Sequence, residues 1–260
     1  PEIKLSSKLP GVTDANNLAV KAAQQLQKHS GCKQGVTIHI DKQIPMGGGL
    51  GGGSSNAAST LLGLNRLWSL NLPLDELALI GLELGADVPV FIHGQNCLAE
   101  GVGELLTPIE LPNNWFIVIK PEVNVETATI FGHTQLTRST LPIRIPAFFE
   151  AGSQKLQQSV LEHGEITDQG PKEAVKHLLK NDCETLTLQL YPEIAETLDW
   201  LNNQPEVAKS SMTGTGACVF SQLTDKRNAK KLLERLPAHW QGFISRSSSR
   251  STAHQALDQL

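Results

Sequence analysis

Between Pro45 and Asn56 the chain reads Met46-Gly47-Gly48-Gly49-Leu50-Gly51-Gly52-Gly53-Ser54-Ser55, with glycine at every position from 47 to 53 except 50. Removing the β-carbons lets the backbone take positive φ angles and lets its N–H groups converge on one point, which is the geometry of an anion-binding nest. The flanking residues narrow the reading. Val36-Thr37-Ile38-His39-Ile40 alternates like a strand, Asp41 to Pro45 leads into the run, and Ala57, Leu61, Leu64 and Trp68 follow at helical spacing. The run is therefore a helix entrance, where unpaired N–H groups and the positive end of the helix dipole adjoin the glycines and Ser54 and Ser55 add hydroxyls. A flexible linker needs neither the proline-terminated strand nor the patterned helix. The pattern reads as a triphosphate cradle. No lysine follows the last glycine, which excludes a Walker loop. Asp75 opens the next helix instead of ending a second strand, which argues against a dinucleotide turn.

The chain has 260 residues, 40% of them hydrophobic and 18% charged, with a net charge of −4. That balance describes a globular protein with material for a core, and the acidic total without a basic block argues against nucleic acid or an anionic membrane as main partner. No apolar run is long enough for a bilayer and the opening Pro-Glu-Ile-Lys-Leu lacks a signal-peptide layout, so the expected compartment is cytoplasmic. Cys32, Cys97, Cys183 and Cys218 show no C-x-x-C spacing and read as reduced thiols; the eight histidines show no metal-ligand spacing.

Further elements follow from pattern. A helix is expected from about Asn17 to Lys28, ended by Gly31, and another from Pro73 to Leu84, stopped by Gly85. Ala86-Asp87-Val88-Pro89-Val90-Phe91-Ile92 reads as a turn entering a short strand, and Trp115 to Lys120 as a strand before a Thr-rich region. Residues 151–170 read as a linker or long loop, followed by helices near Lys172–Leu190 and Glu193–Leu201. A second glycine cluster, Met212-Thr213-Gly214-Thr215-Gly216, leads into a strand at Ala217–Phe220. A helix from Asp225 to Leu236 capped by Thr224 and a strand Gly242–Arg246 complete a β-α-β pattern.

Pro45-x-Gly-Gly-Gly-Leu50-Gly-x-Gly-Ser54-Ser55 resembles the ATP-binding motif of the GHMP kinases, a superfamily of small-molecule kinases, and Thr213 to Ala217 is similar to its C-terminal glycine motif. Ile40 to Ala58, Leu84-Gly-Ala-Asp-Val-Pro-Val-Phe91 and Met212 to Phe220 resemble, in the same order, the branch whose acceptor is a cytidine-diphosphate-linked methylerythritol in the non-mevalonate isoprenoid pathway. The resemblance covers Leu5 to the C-terminus. It implies an α+β, two-lobed GHMP kinase fold, with an N-terminal ATP-binding lobe over 1–110 and a ferredoxin-like C-terminal lobe over 111–260. It implies ATP and Mg2+ as cofactors, held by Pro45, Met46, Gly47, Gly48, Gly49, Leu50, Gly51, Gly52, Gly53, Ser54 and Ser55, by Thr213, Gly214, Thr215 and Gly216, and on the adenine side by Asn17, with Ser55 on the metal. Nucleic acid and membrane are not expected partners; a homodimer is left open.

Phosphoryl transfer to an alcohol needs a place for the hydroxyl proton. Asp87 follows the cradle helix by one further helix, so the chain can return it to the same end, but pattern alone equally allows a turn-capping aspartate. The resemblance assigns Asp87 as the catalytic base. Glu100 and Glu104 could approach magnesium or a substrate hydroxyl, but Ala99-Glu-Gly-Val-Gly-Glu104 fits a solvated hairpin better. Asn17, at a helix start, also fits a cap. The resemblance calls for a Pro-Ala-Lys-x-Asn strand and an Asp-Gly-Tyr-His segment that this sequence does not contain. The expectation is a fragment of a longer protein, with an exposed sheet edge and a tendency to aggregate. Two alternatives stay open: another GHMP small-molecule kinase, and a catalytically impaired nucleotide-binding relative.

Overall fold

The glycine run falls across the boundary between two structural units. The computed structural model describes residues 1–9, 11–111, 113–138 and 181–259; the first unit comprises Pro1–Ile44, Gly51–Leu111 and Ser248–Leu260, the second Pro45–Leu50 and Pro112–Ser247. A division at residue 110 is thus crossed twice, by residues 45–50 and by residues 248–260.

In the first unit, strands β1 (Ile3–Leu5) and β2 (Val36–Ile38) pair in parallel and are joined through helix α1 (Leu18–Ser30). Asn17 starts this helix: its Oδ1 accepts a hydrogen bond from the Ala19 N–H at 2.9 Å, and Gly31, at φ 69°, ends it in a left-handed turn. Helix α2 (Gly52–Leu67) packs on α1, with Ala22, Ala23 and Leu26 facing Ala57, Ala58 and Leu61 in one buried cluster. Alanines on both helices let the backbones approach closely, and Leu26 and Leu61 are fully buried in the same cluster. Helices α3 (Leu74–Leu82) and α4 (Val88–His93) close the cluster with Leu77, Ile80, Val88 and Ile92. A hairpin of β3 (Cys97–Glu100) and β4 (Leu105–Pro108) follows, and a helix at Thr252–Leu257 belongs to this unit too.

Helix α4 corrects the sequence reading, which placed a strand there. Pro89 fits the first turn of a helix, where its missing N–H costs nothing, and Val88 and Ile92, four apart, are both fully buried. Gly94, at φ 64°, stops the helix and donates to the Val90 carbonyl at 2.9 Å.

The second unit is built on a four-stranded antiparallel sheet of β5 (Trp115–Lys120), β6 (Ser210–Met212), β7 (Val219–Leu223) and β8 (Gln241–Arg246), in the spatial order β6-β7-β5-β8. Helices lie between its first and second and its third and fourth strands, the ferredoxin-like order. These are α5 (Thr127–Gly132), α6 (Glu184–Leu190), α7 (Pro192–Asn202) and α8 (Lys226–Glu234) among the described residues. Ile117, Ile119, Val219 and Leu223 meet Ile194, Leu198, Leu201, Ala229 and Leu232 in a single core. The Thr-rich stretch after β5 carries α5, and α8 is capped by Asp225, whose Oδ1 accepts from Asn228 N–H at 2.8 Å, in place of the expected Thr224. The expected linker at 151–170 and the start of the helix placed at Lys172 lie outside the described residues.

Two buried groups of this unit, Lys120 and Cys218, act on each other electrostatically. Lys120 ends β5 at 7% exposure, its Nζ donating to the Pro121 carbonyl at 2.9 Å and to the Val123 carbonyl. Burial lowers its pKa, while the neighbouring Cys218 pulls the other way. Cys218 is fully buried, and burial pushes its thiol up to about 11 against the downward pull of Lys120. It is a packed, neutral thiol at pH 7 and no nucleophile. All four cysteines are free.

Asn17→Ala should cost about 1 kcal/mol in urea unfolding, and Asn17→Ser should restore most of it. The folded state holds the Cys218 proton above the ordinary 9.0, so the unfolded chain loses it first; the stability this thiol lends is complete below about pH 9 and gone by about pH 11. Between those pH values the parent should lose roughly 2–3 kcal/mol more than Cys218→Ala in paired urea titrations.

Candidate active site

The second unit holds the first half of the glycine run against the second glycine loop. The Gly47 carbonyl accepts from Ala217 N–H at 3.2 Å, the Gly48 carbonyl from Cys218 N–H at 3.1 Å, and the Gly49 carbonyl from the Thr213 hydroxyl. The loops meet backbone to backbone. A β-carbon on Gly49 would strike the Thr213 carbonyl and lie 2.8 Å from the Gly216 oxygen; one on Gly48 would lie 2.7 Å from Cys218 Sγ. Pro45 and Met46 lead into this segment, and Leu50, half-buried, ends it. The partner loop is braced in turn. Asn181 Nδ2 donates to the carbonyls of Met212 at 3.1 Å and Gly214 at 2.7 Å, Glu184 accepts from Met212 N–H at 2.9 Å, and the Thr187 hydroxyl donates to the Thr215 carbonyl at 3.3 Å.

The first unit holds the second half of the run. Gly51, at φ 64°, precedes α2 and has no side chain to cap it; the first helical bond runs from Ser55 N–H to the Gly51 carbonyl at 2.8 Å. Among the described residues, the N–H groups from Gly47 to Ser54 donate to no protein acceptor. Four side chains or turns surround this helix start. Leu18, next to the cap Asn17, lies with Cδ1 3.3 Å from where a Gly53 β-carbon would stand, and the Phe91 ring lies 3.0 Å from that of Gly51. Lys42 Nζ lies 2.8 Å from that of Gly52, and Ser54 Oγ lies 3.9 Å from that of Gly85, two residues before Asp87.

Asp87 occupies the N-cap position of α4, yet its side chain caps nothing. The residue is exposed and carries no hydrogen bond or ion pair among the described residues. The turn-capping alternative left open by the pattern therefore does not account for it. Its turn is held from the backbone side by the β3–β4 hairpin: Gly103, at φ 104°, allows so close an approach that a β-carbon there would strike the Ala86 carbonyl. In the same hairpin Glu104 Oε2 accepts from Val102 N–H at 2.7 Å, so Glu104 serves its own turn. No cluster of three or more metal-ligating side chains occurs among the described residues, nor does any helix there have the length and apolarity to cross a membrane.

Lys42, which sequence reasoning passed over, also stands at the start of α2. Burial lowers its pKa, and its ammonium lies at the positive end of α2, a position unfavourable for a cation unless an anion joins the two. Its local signal is slight: a lysine shortly before the glycine run, in the segment that follows β2, where lysine is ordinary.

The model of the GHMP kinases N terminal domain matches residues 17–95, and that of the GHMP kinases C terminal matches 167–242. The chain is 47% identical to the 4-diphosphocytidyl-2-C-methyl-D-erythritol kinase of Alcanivorax borkumensis, over 97% of this chain and 75% of that one. With the Marinobacter nauticus enzyme of the same name the identity is 43%, over 100% and 82%. A crystal structure of 4-(cytidine 5'-diphospho)-2C-methyl-D-erythritol kinase superposes with a TM-score of 0.69 at 28% identity, covering 94% of this chain and 81% of that one. The order of motifs, the ferredoxin-like sheet and these likenesses agree, and the chain belongs to the 4-diphosphocytidyl-2-C-methyl-D-erythritol kinase family of the GHMP kinases.

Proposed function

We propose that this kinase transfers the γ-phosphoryl group of ATP to the 2-hydroxyl of 4-diphosphocytidyl-2-C-methyl-D-erythritol, with Asp87 as the base. The observation that carries the residue assignment is that the first unit brings the unpaired N–H groups opening α2 to the turn that presents an unengaged Asp87 carboxylate. Convergent amides and the helix dipole suit a polyphosphate, and Lys42 adds a full positive charge at the same helix end. Asp87 takes the hydroxyl proton as the acceptor oxygen bonds to the γ-phosphorus; the bond to the β–γ bridging oxygen breaks and ADP leaves.

The remaining residues fill the same scheme. Pro45 to Ser55 and Thr213 to Gly216 bind the nucleotide, with Asn17, which caps α1, on its adenine side. The Ser55 hydroxyl has no hydrogen-bond partner among the described residues, which leaves it free to hold Mg2+ together with phosphate oxygens. Such an ion supplies charge neutralisation on the phosphates.

Asp87→Asn should lower kcat by about 10²–10⁴-fold in a coupled assay with ATP, magnesium and the cytidyl acceptor, while ATP binding by calorimetry stays near the parent value. Turnover within a few-fold of the parent would remove Asp87 from the mechanism. In the same assay CDP should compete with the acceptor, which a kinase for a sugar, homoserine or a mevalonate-type alcohol would not show. Lys42→Met should raise the KM for ATP about tenfold, the loss of one charge-assisted contact.

A further inference from the structure

Lys120 has no role in that scheme, yet its position is an expensive one. A lysine ammonium is seldom buried without a carboxylate beside it, and among the described residues Lys120 makes no salt bridge; its Nζ instead donates to two backbone carbonyls, of Pro121 and Val123. These oxygens belong to the turn that follows β5, where Pro121 can contribute no N–H of its own. The ammonium, with three donors and no directional preference among them, supplies what the turn's backbone lacks.

That turn bears on the nucleotide loops at two points. Asn124 lies against Gly47 so closely that a β-carbon on the glycine would stand 2.9 Å from Asn124 Oδ1 and 3.1 Å from its Cβ. Thr127, three residues on, places its Oγ1 3.2 Å from Thr215 Oγ1 in the second glycine loop. Cys218, whose amide holds the Gly48 carbonyl, lies within the field of the Lys120 charge.

We propose that Lys120 is a positioning residue for ATP: by fixing the turn at 121–125 it holds Asn124 against Gly47 and so sets the direction in which the free amides of the glycine run point. The inference rests on the ATP-binding reading given above. In this assignment Lys120 acts through Asn124 and the carbonyls it holds, not as a ligand of nucleotide or acceptor.

The test is ATP affinity by titration calorimetry, with steady-state kinetics, on the full chain and on Lys120→Met, Lys120→Arg and Asn124→Ala. Lys120→Met should weaken ATP about tenfold or more while kcat at saturating ATP and the KM for the acceptor stay within about threefold of the parent, the split expected when a binding loop alone is displaced. Lys120→Arg, which keeps the charge and the donors, should recover most of the affinity, and Asn124→Ala should reproduce the loss with the lysine intact. A general structural role would lower the melting temperature without separating KM from kcat. Lys120→Met binding ATP within about twofold of the parent overturns the assignment. If Lys120→Met does not fold, Asn124→Ala decides, and unchanged ATP affinity in that variant overturns it equally. A parent chain that binds no ATP would instead overturn the function proposed above, and this inference with it.

Discussion

The carbonyl oxygens of Gly47, Gly48 and Gly49 are occupied by the amides of Ala217 and Cys218 and the hydroxyl of Thr213, and the character of the glycine run follows from that. In a trans peptide the C=O and the next N–H point in opposite directions. Tying the three carbonyls to the second loop therefore turns the amides of Gly48, Gly49 and Leu50 away from it. The positive φ angles of Gly47 and Gly49 permit this trace, and the missing β-carbons permit the approach. The same glycines thus serve packing on one side and leave donors on the other.

Where the run becomes α2, the same outcome is reached by a different route. Gly51 precedes the helix and brings no side chain to cap it, so among the described residues nothing competes for the first-turn amides. Around this uncapped end the first unit gathers a lysine, a serine and the turn of an unengaged aspartate. Three features here are unfavourable or idle by themselves: a cation at a positive dipole, a carboxylate without a partner among the described residues, a helix without a side-chain cap. A bound polyphosphate with an alcohol beside it resolves all three, and this shared need ties the fold of the unit to the chemistry proposed for it.

Much of this was legible in the sequence because it is local. The helix entrance at the glycine run, the end of α1 at Gly31 and the hairpin carrying Glu100 and Glu104 are written in residues close along the chain. The contact of Gly49 with Thr213 spans 164 positions, and nothing in a glycine announces that its hydrogen faces another backbone rather than a phosphate. The strand expected at Val88–Ile92 is a helix because Val88 and Ile92 are buried together beneath it, a fact of packing that a short apolar run leaves ambiguous. Lys42 and Lys120 escaped for a related reason: lysine after a strand or at its end is usually solvated, and only the tertiary structure shows one at a helix terminus and the other sealed beneath a turn.

The β3–β4 hairpin leads somewhere further. Val102 stands 68% exposed at its tip, while its neighbour Gly103 leaves no room for a single methyl group before the Ala86 carbonyl, one residue from Asp87. Adjacent positions of one turn thus have opposite evolutionary latitude. A lineage drifting under selection for turnover could place almost any side chain at 102, whereas 103 would stay frozen as glycine; the constraint on the turn that carries Asp87 is recorded in a residue of a different element.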